Sequence, residues 1–299
     1  SIKFLYQKNK ENDLFHLTLI APFGAHHLPK LALASEYVQL LGTKNYSLKQ
    51  LNEKWYQLGI DFNISVGEEE TFIALNGLSE HFQEGLNLLL DVLNNTKDDS
   101  TTLQPLLNKL LQQRDNSLKD KRNLLWTGLK SYLVYDDKSP LKAGLSNQEL
   151  QNIDPKELVN TLKMVFGTIN KVAYFGPTDL STTKIQLQAI GNPVKNQKLV
   201  KKEFEKVASK SKNEIFVYDF DMQQAEIVLM CKKAVFDKKN SPIIALFNEY
   251  FGGGMSSIVF QEIREKMALA YSVYAGYLDV KDQKDSHYVL AYIGTQADK

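Results

Sequence analysis

Residues 251–277 read FGGGMSSIVFQEIREKMALAYSVYAGY. A helix opened by Ser241-Pro242 runs to Tyr250 and stops at Gly252-Gly253-Gly254, where backbone freedom ends helical propagation. A further helix is predicted over about 256–267, and YSVYAGY (271–277) alternates as a strand. Upstream, EIFVYDFD (214–221) and QAEIVLMC (224–231) carry the strand pattern, and downstream HYVLAYIGT (287–295) does so again. The order is strand, strand, helix, glycine turn, helix, strand, strand.

Residues 1–78 show the same order. Ile2, Phe4 and Tyr6 share one face of a first strand. The run from Leu14 to Ile20 is apolar on both faces, which predicts a central strand. A helix from about Leu28 to Leu41 stops at Gly42. Ser47 and Gln50 form a capping box for the next helix, whose apolar stripe is Leu48, Leu51, Trp55 and Leu58, with Gly59 as C-cap. Strands DFNISVG (61–67) and ETFIALNGL (70–78) follow across an acidic turn. Ala34-Ser35-Glu36-Tyr37 before Gly42-Thr43 has its counterpart in Phe247-Asn248-Glu249-Tyr250 before Gly252. This is a divergent internal repeat.

The first unit continues where the second does not. Ser79 caps a helix with the stripe Phe82, Leu86, Leu89, Leu90 and Leu93. Helices are predicted over 101–120 and 122–134, Asp154-Pro155 opens another to about Phe166, and TINKVAYFGP (168–177) reads as a strand. Residues 195–212 hold seven lysines and two glutamates. They predict a solvated linker, with a basic partner-binding patch as the alternative. The expected organisation is a complete module over 1–194, a Lys-rich linker over 195–212, and the first portion of a related module over 213–299. The expected class is α+β: a mixed, largely antiparallel sheet with helices on one face, duplicated, the second copy truncated.

Composition narrows the function. Lys plus Arg number 36 and Asp plus Glu 35, a net charge of +1, so no global field holds nucleic acid or an anionic membrane. No stretch of about 18 apolar residues is present, so no transmembrane segment is expected. The opening SIKFLYQKNKEND lacks the pattern of a signal peptide. The compartment stays open: cytoplasmic, or exported as part of a longer precursor. The single cysteine, Cys231, excludes an internal disulfide and a cysteine zinc cluster, and its apolar strand predicts a small core residue. His26 and His27 are adjacent, so on a helix they would diverge by about 100°. His16 and His81 fall on a strand and on a distant helix, so the spacing supports no site among these four histidines.

Residues 251–277, together with LGTKNYSLKQLNEKWYQLGIDFNISVGEEETFIALNGL (41–78) and GLSEHFQEGLNLLLDVL (77–93), resemble the insulinase-like (pitrilysin, inverted-zincin) metallopeptidases. The resemblance covers nearly the whole chain, and its most specific part is the triple glycine followed by Arg-x6-Tyr. It implies paired α+β modules enclosing a peptide-binding chamber. The family's catalytic motif is His-x-x-Glu-His on the first helix, where two histidines one turn apart hold zinc and the glutamate acts as general base. Counting back from Gly42-Thr43 maps that motif onto Leu33, Ala34, Ser35, Glu36 and Tyr37. The base position survives as Glu36, whereas Leu33 and Tyr37 replace both ligands. The third ligand, a glutamate in the family, falls near Gln113, flanked by Gln112 and Arg114. No bound metal and no complete catalytic set are therefore expected in this chain.

The second-module residues are retained. The resemblance maps a substrate-binding Arg/Tyr pair onto Arg264 and Tyr271, an arginine to hold a carbonyl or carboxylate and a tyrosine to donate to an oxyanion. The structural alternative pairs Arg264 with Glu262 or another surface acid and leaves Tyr271 as a packing residue at a strand start. The implied function is the non-catalytic half, or a non-catalytic subunit, of a zinc-dependent endopeptidase, inactive by itself. The implied partner is a zinc-bearing catalytic module in the same polypeptide or in a partner subunit, and the implied substrate is peptide. The alternative is an inert scaffold or assembly protein of the same descent. An incomplete second module also predicts dimerisation through its open sheet edge.

Overall fold

The computed structural model describes residues 2–191, 199–206, 212–278 and 285–296. Its strands are β1 (Lys3–Lys8), β2 (Leu14–Ala21), β3 (Asp61–Val66), β4 (Thr71–Leu78), β5 (Lys171–Gly176), β6 (Gln224–Val235), β7 (Ser272–Tyr277) and β8 (Ser286–Gln296). Its α-helices are α1 (Leu31–Val38), α2 (Leu48–Leu58), α3 (Phe82–Asn95), α4 (Ser100–Leu118), α5 (Lys121–Asn123), α6 (Lys130–Tyr135), α7 (Asn147–Gln151), α8 (Pro155–Phe166), α9 (Leu180–Leu187) and α10 (Ser241–Phe251). The chain divides into two units, one of Ser1–Asp115 with Lys142–Glu203 and one of Asn116–Leu141 with Phe204–Lys299. The predicted linker lies partly outside the described residues.

Unit 1 is built on a five-stranded sheet in the order β1-β5-β2-β4-β3. β5 runs parallel to β1 and antiparallel to β2, and the remaining pairs are antiparallel. β2 is central, as its sequence predicts. Its two faces differ, however: Phe15, Leu17, Leu19 and Ala21 are buried, while His16 and Thr18 stay accessible because helices cover only one side. Phe82 at the head of α3 ties that side together, meeting Phe15 edge-on at 4.9 Å and Tyr174 of β5 at 5.4 Å. The capping box of α2 forms as predicted, with Ser47 accepting from the Gln50 amide and Gly59 in the left-handed conformation at φ 59. Helix α1 is shorter than the predicted 28–41. Residues 25–28 are held in a turn by bonds from Ala25 to Gly67 and from His27 and Leu28 to Gly24.

Unit 2 carries a three-stranded sheet in the order β6-β8-β7, all antiparallel. This repeats the β2-β4-β3 order of unit 1. The helical stretch expected over 122–134 is present as α5 and α6 joined by a π-helical turn at Leu124–Leu129, and Trp126 on that turn packs on Tyr292 of β8 at 5.3 Å. The helix expected over 256–267 likewise winds as a π-helix at Phe260–Lys266.

Two expectations fail here. EIFVYDFD (214–221) is not a strand: it lies outside both sheets, with Ile215 89% and Val217 85% exposed. In unit 1 the equivalent β1 is held only by β5, and unit 2 has no equivalent of β5 among the described residues. Apolar alternation alone does not make a strand; ladder pairing with another strand does. Cys231, for its part, is exposed on β6, with no helix over it among the described residues.

The glycine run is explained at Gly252. A Cβ there would overlap the backbone carbonyl and amide of Ala275, so only glycine lets the end of α10 settle on β7. Gly252→Ala should therefore destabilise unit 2 by about 2 kcal/mol, read as a lowered denaturation midpoint.

Candidate functional site

The region that would form a metal centre lies in unit 1. Leu33 is 5% and Tyr37 0% exposed, one turn apart on the core side of α1. The Tyr37 hydroxyl donates to the carbonyl of Asp99 at 2.8 Å and accepts from the Asp99 amide at 2.7 Å. Asp99 stands just before α4, where its carboxylate accepts from the amide and hydroxyl of Thr101 and the hydroxyl of Thr102. These bonds hold the carboxyl below the usual aspartate range. Burial pushes the Tyr37 phenol up, so it stays protonated and a poor metal ligand. Tyr37 is thus a clasp that hangs the start of α4 on α1.

The other mapped positions do not converge on it. Glu36 and Gln113 are exposed on α1 and α4, and neighbouring Arg114 donates to Asn147 at 2.7 Å. An open cleft of about 440 Å³ adjoins Asp99 and is lined by the loop from Gly42 to Ser47, but Leu33, Glu36 and Gln113 are not among its lining residues. Among the described residues no group of three or more His, Cys, Asp and Glu side chains is placed to hold a metal. One aliphatic side chain, one phenol committed to a backbone pair and one exposed amide do not fit zinc.

Unit 2 presents a different surface. Arg264 lies on the π-helical stretch Phe260–Lys266, its guanidinium 4.7 Å from the Phe260 ring centroid and its Nε 3.9 Å from Glu265. Glu262, the alternative partner, instead bonds Lys266. Tyr271 is 53% exposed at the start of β7. Its hydroxyl accepts from Gln296 Nε2 at 2.6 Å, which leaves the phenol proton free to donate.

The turn between Arg264 and Tyr271 is unusual. Ala268 sits at φ 50, a left-handed conformation that costs a residue with a Cβ. The Leu269 amide bonds back to Ile263 at 3.1 Å, and the Thr295 hydroxyl donates to the Leu269 carbonyl. Ala268, Thr295 and Gln296 are the supports that sequence reading missed. A glycine at 268 would have signalled the turn, and none is there.

Residues 152–299 match the model described as the peptidase M16 inactive domain. An uncharacterised zinc protease of Rickettsia felis is 25% identical over 259 residues, covering 80% of this chain and 57% of that protein. The uncharacterised zinc protease YmxG of Bacillus subtilis is 24% identical over 302 residues, covering 92% of this chain and 66% of its own length. Residues 152–299 thus resemble the M16 peptidase inactive domain, and the similar proteins over most of the chain are named zinc proteases. The chain spans only part of the curated relatives it matches, 57% of the length of the one from R. felis.

Solved structures share the fold. The inactive-domain protein from Pseudomonas fluorescens aligns over 99% of this chain and 72% of its own, with a TM-score of 0.75 at 19% identity. The periplasmic protease PqqL of Escherichia coli aligns over 96% of this chain and 32% of its own, with a TM-score of 0.76 at 13% identity.

Tyr37→Phe removes both bonds to Asp99 and strands two backbone groups. It should cost about 1–3 kcal/mol in chemical denaturation. A phenol pKa raised in the folded state also means that folding favours the protonated form. This contribution is full below the unfolded phenol pKa and is lost as pH rises through the folded value. Stability should therefore fall above pH 10.0, the ordinary phenol value, and the fall should be smaller in Tyr37→Phe.

Proposed function

We propose that this chain is the non-catalytic half of a zinc-dependent M16 endopeptidase, or a non-catalytic subunit of one, and that it contributes Arg264 and Tyr271 to peptide cleavage at a zinc centre held elsewhere. The observation that carries this reading is the contrast between the two units. The metal positions Leu33 and Tyr37 are sealed into a core, while Arg264 and Tyr271 remain exposed on a braced helix–strand turn. A structural role alone gives no reason to keep a strained turn and an exposed phenol at that place.

The roles follow from the side chains. The Arg264 guanidinium offers a fork of donors for a substrate carbonyl or terminal carboxylate. The Tyr271 hydroxyl, with its oxygen already accepting from Gln296, can donate its proton toward the oxyanion that develops at the scissile carbonyl. Peptide is the substrate class, the partner is a zinc-bearing module of the same polypeptide or a second subunit, and the chain by itself turns nothing over. The ferredoxin protease FusC, whose structure in complex with Arabidopsis ferredoxin aligns with a TM-score of 0.77 at 12% identity, is a protease in which this fold accompanies a protein ligand.

In the assembled enzyme, Arg264→Ala and Tyr271→Phe should each lower kcat/KM for a quenched peptide by about 10²-fold or more, with the denaturation midpoint unchanged. Unchanged turnover in both variants would favour the inert-scaffold reading.

A further inference from the structure

β3 ends the sheet of unit 1 and β7 ends that of unit 2. On β3, Gly67 just past the strand donates to Glu70 across the hairpin at 2.8 Å, which sets the alternation of the ladder. Asp61, Asn63 and Ser65 therefore bond inward to β4, while Phe62, Ile64 and Val66 present their amides and carbonyls outward. The middle of these three outward rungs is taken. The Ile64 amide donates to Gln39 Oε1 at 3.0 Å, and Gln39 Nε2 donates to the Ile64 carbonyl at 3.2 Å. Gln39 is the C-cap of α1, and a further bond from its Nε2 to the Ser35 carbonyl at 2.9 Å ties the amide to the helix.

β7 repeats the arrangement. The Leu278 amide donates to Tyr288 of β8 at 2.8 Å, so Tyr277, Ala275 and Val273 face the open side. The Tyr277 amide donates to Asn248 Oδ1 at 2.8 Å, and Asn248 Nδ2 donates to the Tyr277 carbonyl at 3.0 Å. The next outward rung, Ala275, lies under Gly252. Gly276 leaves room for the amide, because a Cβ there would come within 2.9 Å of Asn248 Oδ1.

The two amides come from different places. In the internal repeat Asn248 matches Ser35, and Gln39 stands one turn beyond it with a longer side chain. What recurs is the bond pattern, made by residues that the repeat does not align. A primary amide offers a donor and an acceptor side by side, as a backbone residue on a neighbouring strand would.

We propose that Gln39 and Asn248 are edge plugs, each standing in for a neighbouring strand and barring an extended polypeptide from adding to β3 or β7. An open edge pairs with extended chain through main-chain bonds, with little regard to its sequence. The plugs keep such chain off both strands. The proposal rests on the two edges alone and does not depend on the roles given to Arg264 and Tyr271.

The test compares the chain with Gln39→Ala, Asn248→Ala and the double variant. Gln39→Met and Asn248→Leu keep the side-chain bulk and remove the same bonds, and they serve where an alanine variant does not fold. Hydrogen exchange reads each plug. Fluorescence anisotropy with a labelled peptide of alternating threonine and valine, ended by lysines, reads the edges. In the unaltered chain the Ile64 and Tyr277 amides should be protected and the peptide unbound. Each single variant should speed exchange at its own rung by about 10-fold or more and leave the other rung unchanged. The double variant should bind the peptide, and exchange over 62–66 should slow when it does. Three results overturn the proposal: binding of the peptide along β3 or β7 of the unaltered chain, faster exchange in the double variant with no binding, or exchange at Ile64 and Tyr277 that the substitutions do not change.

Discussion

One strand closes the first unit. β5 bonds β1 on one side and β2 on the other, and no other strand holds β1. The helix before it packs on α1, and Tyr174 within it joins the aromatic contacts of Phe82 and Tyr6. Because β5 comes roughly 90 residues after β4 in the chain, the fold must form this long-range pairing before the core is sealed, and the loop-closure cost is met late. Among its described residues the second unit shows no such strand. Its β1-like segment stays out of the sheet, its β2-like strand is an edge, and its first helix shows an apolar face.

The same contrast divides the chemistry. In unit 1 the first helix serves structure: Leu33 fills the core and Tyr37 grips the start of α4. A buried phenol that both donates to and accepts from one backbone residue gives strength and orientation at a place where imidazole would have brought charge. In unit 2 the polar groups face outward on a turn braced by Gln296 and Thr295. Leu33 and Tyr37 are thus sealed, while Tyr271 stays exposed.

Much of this was legible in the residues. The repeat emerged from element order, and the capping box at Ser47 and the Gly59 stop are local signals that tertiary contacts did not override. What the residues hid depends on partners distant in sequence. EIFVYDFD has the alternation of a strand but lies outside both sheets, Cys231 has the apolar sequence surroundings of a core residue but is exposed, and Ala268 takes a left-handed turn that its side chain disfavours. The clasp from Tyr37 to Asp99 links residues 62 positions apart, and no local pattern announces it.

The central claim is that this chain lost the metal and kept a supporting surface. Metal analysis of the purified chain, with a peptide-cleavage assay on the same sample before and after chelation, tests it most directly. The account predicts less than a tenth of an equivalent of zinc, on the order of trace carry-over, and no chelator-sensitive turnover. Stoichiometric zinc with cleavage abolished by the chelator would contradict it.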